Sequence, residues 1–226
     1  MTQTTTTDEV RQLMTRLTGD EKHSAAATST LDVLQVLYDD VLDVSPDRMD
    51  DPDRDRFYLS KGHGPMAYYA TLAAHGYVPR EWLDEFGSYD SPLGYHPDRT
   101  LIPGVEISSG SLGHGLPLGV GTALALRIRR SPARVVVLVG DAELDEGSNA
   151  EAIEYAAAAG LANLTVVAID NYSSSYAVRG RLAARFTTNG WHTTTVDGRD
   201  HDQLRAALHH REPRTPVAVV AQVEAK

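Results

Sequence analysis

Two polar residues each follow a short apolar run of the chain, and their types and spacing suit the binding of a metal ion. Asp141 comes after residues 134–140 (RVVVLVG), and Asn171 comes after residues 164–170 (LTVVAID). A carboxylate and a carboxamide oxygen are hard ligands that suit Mg²⁺ or Ca²⁺, and Mg²⁺ shares its remaining positions with water and phosphates. The pair therefore predicts a divalent cation that holds a diphosphate.

A structural role is the alternative for the same two residues. Asp and Asn are favoured at helix caps and in turns, so Asp141 could cap the following helix and Asn171 could sit in a turn. A helix that starts near Gly147 would also offer amide N–H groups and the positive end of its dipole to a diphosphate. The spacing alone leaves both interpretations open.

The elements around these residues indicate the fold. The two apolar runs show no polar alternation, which is typical of parallel strands covered on both faces. Between them, residues 149–160 are alanine-rich and end in glycine, which predicts a helix and a βαβ unit. Further helices are predicted at residues 28–42, 65–77, 116–130 and 200–210, and further strands at 190–198 and 215–223. We therefore expect an α/β, doubly wound fold with a mostly parallel sheet and helices on both faces.

In such a sheet, ligands bind beyond the carboxyl ends of the strands, where Asp141 and Asn171 would both lie. Residues 88–113 contain three prolines and four glycines and predict a long irregular loop. Loops of that length in compact domains are usually functional.

Composition narrows the classes of function. The 226 residues are 42% hydrophobic and 23% charged, which favours one domain over residues 1–226 with residues 1–10 as a disordered leader. The net charge of −10 argues against nucleic acid or an anionic membrane as a partner. The absence of cysteine excludes disulfides and thiolate sites, and we expect a reducing, cytoplasmic location. No apolar run is long enough to span a membrane.

Four segments carry a family resemblance. GDAELDEG (140–147), followed about thirty positions later by DN (170–171), resembles the thiamine-diphosphate motif. LSKGHG (59–64), GYHPDRTLIPGVEISSGSLGHGL (94–116) and GWHTTTVDGRD (190–200) are similar to the transketolase branch of that superfamily. The chain resembles the N-terminal, diphosphate-binding (PP-type) half of a transketolase made as a separate subunit.

The resemblance implies a cofactor site for thiamine diphosphate and Mg²⁺, or Ca²⁺. The implied metal ligands are the side chains of Asp141 and Asn171 and the backbone carbonyl of Ser173. The other implied cofactor contacts are His63 at the diphosphate, Gly110, Ser111 and Leu112 at the aminopyrimidine edge, and Gly140, Ala142 and Glu146 in the motif. Ala142 stands where the motif usually has its second glycine, and a side chain is tolerated there if the backbone φ is negative.

The resemblance also implies catalytic residues. His23, His63 and His96 would line the substrate channel, where neutral imidazoles can move protons near neutral pH. Glu146 would lie at the subunit interface, next to the partner's activating glutamate. That glutamate would belong to a separate pyrimidine-binding subunit, with an α₂β₂ assembly expected and residues 116–130 as a candidate contact.

The implied reaction is the transfer of a two-carbon ketol unit from a ketose or related donor to an acceptor. Two alternatives stay open: a 2-oxo-acid decarboxylase or acyltransferase component with the same cofactor, and a non-catalytic relative that only binds a partner. A dinucleotide-binding protein is disfavoured because GSLGHG (110–115) follows an irregular loop rather than a strand. A Walker-type phosphate loop is absent because no glycine-lysine-serine or glycine-lysine-threonine ending occurs.

Overall fold

A computed structural model describes residues 7–17, 25–176 and 178–225. The five strands are β1 Arg56–Leu59, β2 Val135–Gly140, β3 Leu164–Asp170, β4 His192–Asp197 and β5 Val217–Gln222. The helices are α1 Thr7–Arg16, α2 Ala25–Thr28, α3 Leu31–Val36, α4 Met66–Ala74, α5 Gly115–Ile128, α6 Gly147–Ala158, α7 Arg181–Thr188 and α8 His201–His209. None of the helices among these residues is long and apolar enough to cross a membrane.

The strands form one parallel sheet in the order β1-β2-β3-β5-β4. Every residue of β2 and β3 is buried, as their unbroken apolar sequences predicted. Helices α1 to α4 and α8 contribute to the core on one face, and α5 to α7 contribute to the core on the other. The doubly wound α/β fold is thereby confirmed.

Alternate residues of a strand belong to the cores on the two faces of the sheet, because successive side chains of a strand point to opposite faces. In β2, Val136 and Leu138 lie in the first core, whereas Val135 and Val137 lie in the second. Gly119 of α5 packs so closely on the second face that a methyl group on it would lie 2.4 Å from a Val137 methyl. This glycine lets α5 lie directly against the sheet.

Some elements differ from those predicted. Residues 7–10, expected in a disordered leader, form the first turn of α1, because the apolar face of this amphipathic helix packs into the core and leaves Val10 fully buried. The predicted helix 28–42 corresponds to α3 and the π-helical segment Leu37–Val41 that continues it directly, whereas Thr28 is the last residue of the separate helix α2. Strand β1 and helix α7 were not predicted. Residues 88–113 contain neither strand nor helix, as predicted.

Candidate functional site

The parallel register of β2 and β3 brings the two predicted metal ligands to one edge of the sheet. Gly140 is paired with Ile169, and the Asp141 amide donates to the Ile169 carbonyl at 3.0 Å. Asp141 and Asn171, which follow these strand ends, are each only 2% exposed. Both polar side chains are therefore held in a nearly dry position beyond the strand ends.

The Asp141 carboxylate organises the segment after β3. Its Oδ2 accepts the Ser173 and Ser174 amides at 2.6 and 3.1 Å, and its Oδ1 accepts the Ser173 hydroxyl at 2.5 Å and the Ala142 amide at 2.8 Å. Helix α6 begins with Glu146 at its N-cap position, so Asp141 does not cap that helix. The carbonyl of Ser173, the third predicted ligand, takes no part in these contacts.

Asn171 provides the observation that suits a cation. Its Oδ1 is buried and, among the described residues, has no hydrogen-bond partner. An unpaired buried acceptor is costly, and a divalent cation beside Asp141 would satisfy it. The donor chemistry therefore fits Mg²⁺ or Ca²⁺, provided that the Ser173 and Ser174 amides release the carboxylate. Tyr172, which lies between Asn171 and Ser173 in the chain, has φ +55°, a strained value for a non-glycine residue.

A second part of the site lies on loops. The rings of His63 and His96 meet edge to face with centroids 5.7 Å apart, and both side chains are exposed. Gly110 has φ +121°, and a methyl group on it would come within 2.9 Å of the His96 ring. A methyl group on Gly62 would lie 2.7 Å from the Gly110 amide nitrogen. Glycines therefore let the two predicted channel histidines and the predicted aminopyrimidine loop come together.

Glu143 joins the two parts, and sequence reasoning missed it. This residue is 2% exposed. Its Oε1 accepts the Ser60 hydroxyl and the Gly113 amide, the latter at 3.2 Å, and its Oε2 accepts the Gly140 amide at 3.3 Å. Burial raises the pKa of the carboxyl group, although these hydrogen bonds oppose the shift. The ends of β1 and β2 and the loop before α5 are thus fixed to one carboxyl group.

The remaining motif residues lie next to Glu143 in the chain or in the loop before α5. Ala142 has φ −67° and ψ −38°, so the methyl group in place of the usual glycine is accommodated without backbone strain. Glu146 is exposed, and its Cβ would lie 2.7 Å from a methyl group on Gly113. Ser111 and Leu112, which directly precede Gly113 in the chain, are also exposed. The predicted channel residue His23 lies outside the described residues.

A family model for the thiamine-diphosphate-binding domain of transketolase matches residues 4–221. The chain belongs to the transketolase family. The predicted family is thereby confirmed, and the match covers the segments that build both parts of the site.

Similar proteins place this transketolase-family chain among longer relatives. It is 53% identical over 217 residues to ferredoxin fas2 of Rhodococcoides fascians, covering 96% of this chain and 71% of that protein. It is 44% identical over 145 residues to one subunit of the apulose-4-phosphate transketolase of Actinobacillus succinogenes, covering 64% of this chain and 52% of that protein. These 226 residues contain no cysteine, so they cannot supply thiolates for an iron–sulfur cluster.

A solved transketolase shares the fold. The transketolase of Pichia stipitis in complex with sedoheptulose 7-phosphate superposes with a TM-score of 0.82 at 26% identity. The match covers 96% of this chain and 35% of the Pichia chain. This chain thus corresponds to about a third of a full-length transketolase.

Proposed function

We propose that residues 1–226 form a single diphosphate-binding domain, the subunit of a split transketolase that binds thiamine diphosphate through Mg²⁺ or Ca²⁺. The observation that carries the metal assignment is the pair Asp141 and Asn171, buried at adjacent strand ends with the Asn171 oxygen unpaired. The membership of the family for thiamine-diphosphate-binding domains supports the identity of the cofactor. The Ser173 carbonyl is proposed as the third protein ligand.

The chain's own residues would bind, orient and move protons. When bound, the cofactor would supply the nucleophilic carbon and the electron-accepting ring that cleavage next to a carbonyl requires. Asp141 and Asn171 would fix the metal, and His63 would donate to the diphosphate. His63 and His96, exposed and adjacent, would exchange protons with the oxygens of the donor and acceptor sugars near neutral pH. His23 is proposed to join them, and Gly110, Ser111 and Leu112 to face the aminopyrimidine.

A second chain would complete the site. The relative from Actinobacillus succinogenes is by its name one subunit of a transketolase, which supports a division of the enzyme into two chains. In our proposal the partner carries the pyrimidine-binding domain and its activating glutamate, and two copies of each chain assemble in the cytoplasm as α₂β₂. Glu146 is exposed at the start of α6 and is proposed to meet that glutamate. The outer face of α5, where Leu118 is exposed, is the second proposed contact.

Reconstitution with the partner subunit tests this function. The pair should transfer a two-carbon unit from a ketose phosphate, such as xylulose 5-phosphate or fructose 6-phosphate, to an aldehyde, and each chain alone should be inactive. Consumption of pyruvate instead would identify a 2-oxo-acid component. A complex whose melting temperature does not change with saturating thiamine diphosphate and Mg²⁺ would contradict the proposal and favour a non-catalytic relative, because a ligand bound only by the native state must stabilise it.

A further inference from the structure

Three residues from β4 and from the segment that follows α8 meet at the amino-terminal edge of the sheet. His192 is the first residue of β4, His210 directly follows α8, and Glu212 lies in the connection from α8 to β5. Asp141 and Asn171 lie at the opposite edge, beyond the carboxyl ends of β2 and β3. The three residues therefore form a cluster separate from the candidate cofactor site.

The side chains converge on one carboxylate oxygen. His192 Nδ1 lies 3.2 Å and His210 Nε2 lies 2.8 Å from Glu212 Oε1. The two imidazole rings stack with centroids 4.0 Å apart and an interplanar angle of 23°. All three potential ligand atoms lie within 4.8 Å of one another. The cluster thus brings two imidazole nitrogens and one carboxylate oxygen together.

The donor types select a class of ion. Two imidazoles and one carboxylate form a set that Zn²⁺ and similar first-row ions favour, whereas Mg²⁺ and Ca²⁺ prefer oxygen ligands alone. Zinc bonds of about 2.0–2.2 Å place tetrahedral ligands about 3.4 Å apart. The His192 separation of 3.2 Å is close to that spacing, and the His210 separation of 2.8 Å, a hydrogen-bond distance, would widen by about 0.6 Å as the ion replaces the proton between the two groups. We propose that His192, His210 and Glu212 bind Zn²⁺ and leave a fourth position for water.

The surroundings agree with this site. The remaining ring nitrogen of His192, Nε2, lies 3.4 Å from the Thr194 hydroxyl, a contact that can orient the ring for coordination through Nδ1. All three side chains are partly exposed, so an ion can reach them from solvent. Strand β4 is an outer strand of the described sheet, and it pairs with β5. A bound ion would fasten this strand to the connection between α8 and β5.

Calorimetric titration of the full chain with Zn²⁺ tests the site. The protein is prepared without a histidine tag, treated with a chelator and kept in excess Mg²⁺, which occupies sites built from oxygen ligands. We expect one Zn²⁺ per chain, at least about 100-fold weaker binding in His192→Ala and in His210→Ala, and weaker binding in Glu212→Gln. Binding should also weaken in acidic solution, because protons and metal ions compete for imidazole nitrogens.

His209→Ala is the matched control. His209 precedes His210, is also exposed and faces Asp40 instead, so its loss should leave the Zn²⁺ affinity unchanged. Circular dichroism of each variant shows whether the fold is retained, and visible absorption of the Co²⁺ form gives a second readout at the ion itself. The absence of a stoichiometric site in the wild-type protein, or the same affinity in His210→Ala as in the wild type, would overturn the proposal. Neither result depends on thiamine diphosphate, so the proposed function stands or falls separately.

Discussion

The two edges of the sheet carry polar clusters of different chemistry. At the carboxyl edge, Asp141, Asn171 and Glu143 are almost fully buried, and glycines admit neighbouring loops. At the amino edge, His192 and His210 are partly exposed and share a carboxylate with Glu212. Oxygen donors in a dry pocket suit a hard cation with a phosphate, whereas imidazoles at an open edge suit a borderline ion. In our two proposals, one parallel sheet separates two kinds of metal chemistry by placing them at opposite strand ends.

The largest effect is expected from Asp141→Ala at the carboxyl edge. Loss of the only carboxylate among the proposed ligands should weaken Mg²⁺-dependent binding of thiamine diphosphate at least about 100-fold. The fold should remain. The Ser173 and Ser174 amides, which donate hydrogen bonds to Asp141, lie in a partly exposed loop and can bind water instead. The measurement is the rise in melting temperature when cofactor is added. At a cofactor concentration of about 100 times Kd, binding should stabilise the native wild-type protein by about 2.7 kcal/mol.

Asp197→Ala is the control for that experiment. Asp197 also ends a strand of this sheet, but it is exposed at the end of β4 and accepts the Arg199 amide. Its replacement should leave cofactor binding as in the wild-type protein. If Asp141→Ala binds cofactor as tightly as Asp197→Ala does, the ligand assignment is wrong.

Glu143→Ala should give the next largest effect, on stability and on cofactor binding together. The substitution leaves the donors of Ser60, Gly113 and Gly140 without their shared acceptor, which should lower the free energy of unfolding by about 3–5 kcal/mol. Glu143→Gln keeps the size and one acceptor oxygen and should recover much of this loss. Chemical denaturation measures both variants, with exposed Glu151→Ala on α6 as the neutral control. A Glu143→Ala protein as stable as Glu151→Ala would show that the carboxyl group does not hold the three segments.

The sequence was sufficient to place Asp141 and Asn171, because unbroken apolar runs define buried strands and hence their ends. It could not single out Glu143. The motif GDAELDEG contains four acidic residues, and only the convergence of three segments in space shows that Glu143 is buried along with Asp141. Ala142 shows the same limit, since a sequence does not reveal that its φ is −67°.

The elements that sequence reasoning missed are short or depend on distant partners. Strand β1 has only four residues and follows a charged loop, so its identity depends on pairing with β2. Helix α7 buries just Leu182 and Phe186, a pattern too brief to stand out. The cluster of His192, His210 and Glu212 exists because β4 pairs with β5, and no local spacing encodes that pairing.

Asn171→Ala should give a smaller effect that separates binding from folding. The Asn171 oxygen makes no hydrogen bond among the described residues, so its removal should cost less than about 1 kcal/mol of stability. Affinity for Mg²⁺ and cofactor should still fall about 10–100-fold, because a proposed ligand is lost.

Asn163→Ala provides the matched control, because the Asn163 Oδ1 is also buried without a hydrogen-bond partner among the described residues but lies away from the proposed metal site. Asn163 immediately precedes β3, and its side-chain amide donates to the Ala123 carbonyl at 2.9 Å. Its replacement should lower stability by about 1 kcal/mol and leave cofactor affinity unchanged. Equal cofactor affinities for the two variants would remove Asn171 from the metal site.

The smallest effect is expected on cofactor binding at the carboxyl edge when a residue at the amino edge is replaced. Strand β4 spans six residues, so five steps of about 3.3 Å place its first and last Cα atoms about 16–17 Å apart. His210→Ala should therefore change the affinity for thiamine diphosphate and Mg²⁺ less than about twofold, since no hydrogen-bonded network described above connects the clusters. Cofactor titration of the wild-type protein with and without Zn²⁺ provides the same test without a substitution. A change of tenfold or more in either experiment would mean that the edges are coupled through the sheet and do not act as independent sites.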